Sequence, residues 1–176
     1  MVYVFLADGF EEIEAITPVD ILRRASVDVK LVSIGNTLEV TGSHGIKIVA
    51  DLLFEDIEEN AEMLILPGGM PGTLNLSKFQ PLCDLLLKSE GYIAAICAAP
   101  SVLGGLGILK GKKAICFPGY EDKLIGAEIV DFPVVVSGKV ITSKGAGTAH
   151  KFGFELLSIL KGREKADELV KAMMYE

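Results

Sequence analysis

Short apolar runs recur along the chain at Val2 to Leu6, Val29 to Ile34, Met63 to Leu66, Tyr92 to Ile96 and Lys113 to Cys116, with two more at Val134 to Val136 and Val140 to Thr142. Most are unalternating, the pattern of strands in a sheet covered on both faces. Helical periodicity fills Glu12 to Ala25, Leu76 to Lys88, Ala149 to Leu160 and Arg163 to Met174. The last of these alternates Glu164, Lys165, Asp167, Glu168 and Lys171 along a solvated face. Strand and helix in alternation predict an open, mainly parallel, three-layer α/β sandwich. Two segments depart from it. Leu38 to Val49 alternates around Gly42-Ser43-His44-Gly45, which predicts a projecting β-hairpin, and Thr17-Pro18 predicts a kink in the first helix.

With 176 residues, 50% of them apolar and 23% charged, the chain has the length and core-forming material of one domain, taken as residues 1–176. No repeat, low-complexity segment or linker divides it. A net charge of -7 argues against a nucleic-acid backbone or an anionic membrane as partner. The uncharged stretch from Gly91 to Leu109 is long enough to span a membrane, but Pro100, Gly104, Gly105 and Gly107 divide it into a strand, a turn and a short helix. The first residues, Met1 to Asp8, lack a basic region and read as a first strand rather than a signal peptide. Cys83, Cys97 and Cys116 form an odd set without metal spacing, which suggests a reducing, cytoplasmic setting and no metal site.

Candidate chemistry gathers where strands end, because ligands of open parallel sheets bind outside the carboxyl ends of the strands. Cys97 follows the apolar run Tyr92 to Ile96 and precedes Ala98-Ala99-Pro100. If a helix begins just after it, the first amides and the positive dipole end favour the thiolate; the alternative is a small buried hydrophobe. Cys83 and Cys116 read as packed residues. Glu11, Glu12 and Glu14 suit the first turns of a helix; Glu14, just before Pro18, is either such a helix-start acid or a buried, protonated carboxyl donating to a neighbouring thiolate. The loop Pro67 to Gly72 brings Gly68 and Gly69, whose amides could complete an oxyanion hole with that of Ala98, or it is an ordinary tight turn. Ser143 to Thr148, with Gly145 and Ala146, is a pocket wall lacking the P-loop ending. His44 is a solvated turn residue or a group reaching a pocket in its own or a neighbouring chain, and His150 is a surface residue.

Taken in order, Gly9-Phe10-Glu11-Glu12-Ile13-Glu14, Thr17 to Arg24, Leu66-Pro67-Gly68-Gly69, Ala94 to Pro100 and Thr142-Ser143-Lys144-Gly145 resemble the ThiJ/PfpI superfamily over nearly the whole chain. Within it the chain is most similar to the branch of the Parkinsonism-associated protein deglycase. The resemblance implies a flavodoxin-like fold, a homodimer and no cofactor. It makes Cys97 a nucleophilic, oxidation-sensitive cysteine, Glu14 the carboxyl that hydrogen-bonds its sulfur, and Gly69 and Ala98 backbone oxyanion donors. It implies deglycase or glyoxalase chemistry on small aldehydes such as methylglyoxal and glyoxal or on glycated amines, with redox sensing or chaperone-like protection as the alternative. Two departures bear on mechanism. Protease-type members carry a histidine directly after the nucleophile, where this chain has Ala98, so peptidase activity is disfavoured. Many members bring a histidine to the pocket from a region that reads Gly126-Ala127-Glu128-Ile129-Val130 here.

Overall fold

Every residue from Val2 to Leu6 is buried, and alternate side chains enter opposite cores. Val2, Val4 and Leu6 join one cluster, while Tyr3 and Phe5 join the other. The same division runs through Met63 to Leu66 and Tyr92 to Ile96. Continuous apolar runs therefore arise because both faces of the sheet are covered.

The computed structural model describes residues 1–58 and 60–175. The first half comprises β1 (Val2–Leu6), α1 (Glu12–Arg24), β2 (Val29–Ser33), β3 (Glu39–Thr41), β4 (Lys47–Val49), β5 (Leu52–Leu53), β6 (Met63–Leu66), α2 (Gly72–Lys78) and α3 (Gln80–Lys88). The second half comprises β7 (Tyr92–Ile96), α4 (Pro100–Gly105), β8 (Lys113–Ala114), β9 (Glu128–Ile129), β10 (Val134–Ser137), β11 (Val140–Ser143), α5 (Ala149–Lys161) and α6 (Arg163–Ala172). Seven strands form one sheet in the order β10-β11-β7-β6-β1-β2-β5. Only β10 runs antiparallel to its neighbour. The central order β2-β1-β6-β7-β11 is flavodoxin-like, with its switch point between β1 and β6. Helices α1, α5 and α6 cover one face and α2, α3 and α4 the other. Among the described residues, no helix is long and apolar enough to cross a membrane.

Three details correct or refine the expectations from sequence. The helix expected over Leu76 to Lys88 is two helices, α2 and α3, separated by an extended Phe79. Pro81 has no amide for the carbonyl of Ser77, and its ring crowds that turn, so one helix cannot run through. Phe79 instead sets its ring edge-on against Phe54, with centroids 4.9 Å apart. Helix α1 runs through Pro18, facing Gly153 of α5. A Cβ on Gly153 would lie 3.2 Å from Pro18 Cα and 2.7 Å from Ile21 Cδ1, so glycine there lets the two helix backbones approach closely. Finally, β8 and β9 form a small separate parallel pair.

The β3-β4 hairpin is fastened to the start of α1. Gly9 donates its amide to Thr41 O at 2.8 Å, Ser43 donates to Phe10 O at 2.7 Å, and Thr41 donates to Asp8 Oδ1 at 2.9 Å. Glu12, read from sequence as an ordinary helix-start acid, is 7% exposed and closes the junction. Its carboxylate accepts from the His44 amide at 2.8 Å and from Ser43 Oγ at 3.3 Å, and it pairs with His44 Nδ1 at 2.7 Å. Gly42 lies so close that a Cβ there would collide with the Glu12 carboxyl. Burial alone would raise the Glu12 carboxyl, but the side chain and amide of His44, with the Ile46 amide, outweigh it and hold it at about 2. Glu12 in turn raises the imidazole above its usual 6.5.

The two shifts have opposite signs for stability. A depressed carboxyl stabilises above its unfolded value of about 4.5 and loses that contribution as pH falls toward about 2. A raised imidazole stabilises below about 6.5 and loses its contribution as pH rises through its folded value. We therefore expect Glu12→Gln to lower the urea midpoint most between about pH 4.5 and 6.5, with a smaller deficit at pH 3 and at pH 9. A deficit constant from pH 3 to 9 would show that the pair does not lock the hairpin.

Candidate active site

Three loops meet at the carboxyl ends of β1, β6 and β7. The loops after β1 and β6 are pressed backbone to backbone: Glu11 donates its amide to Gly68 O at 2.9 Å, and a Cβ on Gly72 would lie 2.6 Å from Phe10 N. Gly69 has φ +89 and faces Gly9 and Phe10, so this approach requires glycine twice over, for conformation and for space. The contact fixes the start of α1, and hence Glu14, against the chain that carries Gly68 and Gly69.

Cys97 stands where β7 turns toward α4, with φ +64. A non-glycine residue in that region stores roughly 1–3 kcal/mol of strain and persists only if its surroundings hold it there. They do so on both sides. Its amide donates to Ser143 O at 2.9 Å, and its carbonyl accepts from Phe117 N at 2.8 Å. Of the three cysteines it alone is half-buried, whereas Cys83 and Cys116 are packed, as the sequence suggested.

Glu14 is 1% exposed. Its Oε2 accepts from Gly68 N at 2.9 Å, while Oε1 is buried with no hydrogen bond of normal geometry among the described residues. The helix start is capped by Glu11 instead, whose Oε2 accepts from Glu14 N at 2.8 Å. Burial raises the Glu14 carboxyl to about 7; the Cys97 thiol and the amides of Gly68 and Ala146 oppose that rise, and the charge of Glu11 adds to it. Burial pushes the Cys97 thiol up to about 12, and the Glu14 carboxylate adds to this by charge and hydrogen bonding. Against these act the amides of Ala98 and Gly69, which point at the sulfur.

This corrects the expectation that a helix terminus favours the thiolate. Helix α4 begins at Pro100, three residues beyond the thiol, is only six residues long and has a proline in place of its first amide donor. Two isolated amides cannot outweigh burial beside a carboxylate. Thiol and carboxyl instead behave as one unit that gives up its first proton near neutrality and its second only in strong alkali.

Of the other residues singled out from sequence, Gly68, Gly69, Ala98 and Ala146 lie around this pair, and Gly145 lies beside it. A Cβ on Gly145 would be 3.9 Å from Glu14 Oε1 and 3.3 Å from Cδ2 of Phe117. His44 does not join them. Its side chain, 70% exposed, bonds to Ser43 and Glu12, and none of its hydrogen bonds reaches Cys97 or Glu14. His150 is exposed and stacks on Tyr175 with ring centroids 5.1 Å apart. No metal cluster was legible in the sequence; folding brings ligand atoms of Glu11, Glu12 and His44 within 4.8 Å of one another. Those atoms already serve as a helix cap and an ion pair.

The stretch Gly126 to Val130, where a pocket histidine was sought, forms a turn and the exposed strand β9. The side chain over the Gly145 wall is Phe117, which sequence reasoning missed. Its only mark there was an apolar residue just past the run Lys113 to Cys116.

The DJ-1/PfpI family profile matches residues 1–159. Protein DJ-1 homolog B of Arabidopsis thaliana is 41% identical over 96% of this chain, which spans only 40% of that relative's length. The glutathione-independent glyoxalase DJR-1.2 of Caenorhabditis elegans is 37% identical over 93% of this chain and 89% of its own. The structure of oxidized DJ-1 from Toxoplasma gondii superposes with a TM-score of 0.94 at 34% identity, covering 99% of this chain and 97% of that one. Sequence profile, full-length relatives and fold agree, and the chain belongs to the DJ-1/PfpI family.

Proposed function

We propose that this protein is a cofactor-independent thiol enzyme that converts small α-oxoaldehydes, methylglyoxal and glyoxal, to hydroxy acids or removes their early adducts from amines. One observation carries the reading: a carboxyl whose proton is poised near pH 7 faces a strained, half-buried thiol flanked by two amides. A proton-transfer group works best when its pKa lies near the operating pH. The name of the nematode relative, a glyoxalase that needs no glutathione, supports the same chemistry.

In this reading the Cys97 sulfur adds to the aldehyde carbon, and the thiol proton passes through Glu14 to the carbonyl oxygen. The amides of Gly69 and Ala98, which face the sulfur, stabilise the oxyanion while it forms. Glu14 then removes the hydrogen on the carbon bonded to sulfur and returns it to the adjacent carbon, while the hydroxyl proton of the first carbon moves to the oxygen of the second, converting the hemithioacetal to a thioester. Water cleaves that thioester, releasing the hydroxy acid and the thiol. The sum is one aldehyde and one water to one hydroxy acid, with oxidation of one carbon balanced by reduction of its neighbour. We further propose a homodimer acting in the cytoplasm. Ile13 on α1 and Ile46 and Val49 on the hairpin fastened to it are 50%, 54% and 70% exposed, an apolar set suited to a partner surface.

A second reading, redox sensing through Cys97, is favoured by that residue's access to solvent while Cys83 and Cys116 are buried. Graded peroxide followed by intact mass tests it. Addition of two oxygens confined to Cys97 at low dose is the expected result, and equal oxidation of all three cysteines would contradict it.

The enzymatic reading predicts that Cys97→Ser loses methylglyoxal turnover by on the order of 10³-fold or more. The assay belongs in phosphate without Tris or added thiols, which trap aldehydes. Activity within tenfold of the parent protein would sink the proposal.

A further inference from the structure

The first turn of α1 is closed onto the loop after β6 by three hydrogen bonds that share Glu11, Glu14 and Gly68. Glu11 donates its amide to Gly68 O at 2.9 Å, Gly68 donates its own amide to Glu14 Oε2 at 2.9 Å, and Glu11 Oε2 accepts from Glu14 N at 2.8 Å. The ring leaves no slack. A Cβ placed on Gly68 would stand 2.6 Å from Glu14 Oε2, and one placed on Gly69 would stand 2.4 Å from Glu11 N. Glu11 thus fixes Glu14 beside Cys97 through both its main chain and its side chain.

Capping alone does not call for a charge there. Ser, Thr or Asn would satisfy the same amide with a short neutral side chain. Glu11 is half-buried, and its charge is not cancelled by its neighbours. Carboxylate oxygens of Glu11 and Glu12 and a ring nitrogen of His44 lie within 4.8 Å of one another, but His44 pairs with Glu12 at 2.7 Å, and among the described residues no salt bridge reaches Glu11. The loop Pro67 to Pro71 brings no titratable side chain against it. On the remaining side is the Glu14 carboxyl. Burial is the largest influence holding the proton on Glu14, and the charge of Glu11 adds to it, against the Cys97 thiol and the amides of Gly68 and Ala146.

We propose that Glu11 is a positioning residue of the thiol site, whose single carboxylate fixes the main chain at Glu14 and sets an uncancelled negative charge beside the Glu14 carboxyl, so that Glu14 keeps the proton the reaction uses. The role rests on the thiol-enzyme reading for its use in turnover. There, as the S–C bond forms and the C=O π bond breaks, the thiol proton passes through Glu14 to the former carbonyl oxygen. A Glu14 carboxyl without the charge of Glu11 would lose its proton to water at lower pH, leaving less of the protonated form to supply that oxygen. Glu11 acts through Glu14 and not on the sulfur.

Alkylation of Cys97 by iodoacetamide, read by mass across pH, is the probe, because it follows proton release by the thiol and carboxyl without requiring turnover. Glu11→Gln keeps an oxygen to accept from Glu14 N but loses the charge, so the step near pH 7 should move down by about half a unit or more. Glu11→Asp keeps both cap and charge and should stay within about 0.2 unit of wild type. An unmoved step in Glu11→Gln, or an equal shift in Glu11→Asp, overturns the assignment. Salt gives a check that needs no substitution. In about 1 M KCl, which screens a half-exposed charge, the wild-type step should move down as it does in Glu11→Gln, while that of the variant stays in place. If Glu11→Gln does not fold, a wild-type step unmoved by salt overturns the assignment instead. Where methylglyoxal is turned over, the pH profile of kcat should shift with the alkylation step and KM should stay within about twofold. If wild type turns over no aldehyde, the enzymatic reading fails on its own, and alkylation still decides whether Glu11 holds the proton on Glu14.

Discussion

A carboxyl group taken out of water beside a thiol cannot ionise independently of it, and the rest of the site is arranged around that constraint. Glu14 is 1% exposed; its carboxyl has one amide hydrogen bond of normal geometry, from Gly68 N, and the Ala146 amide and Cys97 thiol beside it do not offset its burial. Its proton is therefore retained to about pH 7, and the charge left when it departs holds the neighbouring thiol neutral. The unit can carry one negative charge at physiological pH, on oxygen or on sulfur. Amides of Ala98 and Gly69 facing the sulfur favour the second location, and burial penalises both.

The fold supplies the rigidity this pairing requires. Glu14 comes from α1, Cys97 from the end of β7, and the intervening amides from the loop after β6, so three separated segments must register closely. They do so through backbone packing at Gly9, Gly69 and Gly72, where no side chain could intervene. A second lock lies outside the thiol site. The buried carboxylate of Glu12 holds the hairpin tip onto the same turn of chain that carries Glu14. Two acids in the first turn of α1 therefore do opposite things: Glu12 is charged and stabilises the fold, whereas Glu14 is poised to exchange a proton.

Most of this fold was legible because burial on both sheet faces writes itself as apolar runs. The strands at Val2 to Leu6, Met63 to Leu66 and Tyr92 to Ile96 fall where the runs do. The break at Phe79 was obscured because the apolar periodicity persists across it, and the proline that enforces it lies two residues later. Glu14 could be singled out from its place before Pro18, and Gly68 from its loop. Phe117 could not, because its importance lies in a contact with Gly145, 28 positions away. The same is true of Glu12 and His44, whose pairing depends on how the hairpin folds back over α1. Likewise, a terminus favouring the thiolate was a reasonable expectation for a strand-to-helix cysteine, but the dominant influences, burial and a carboxylate from another element, have no local signature.

The shared proton is most directly tested by the pH dependence of Cys97 alkylation, read by mass after limited iodoacetamide exposure, in wild type and Glu14→Gln. A unit that releases its first proton near neutrality should give wild-type reactivity that rises through about pH 7 to a plateau. Glu14→Gln should lose that step and react only as the isolated, buried thiol ionises, at about pH 9 or above. A single rise at or above pH 9 in both proteins would contradict the account, because Cys97 would then ionise without reference to Glu14.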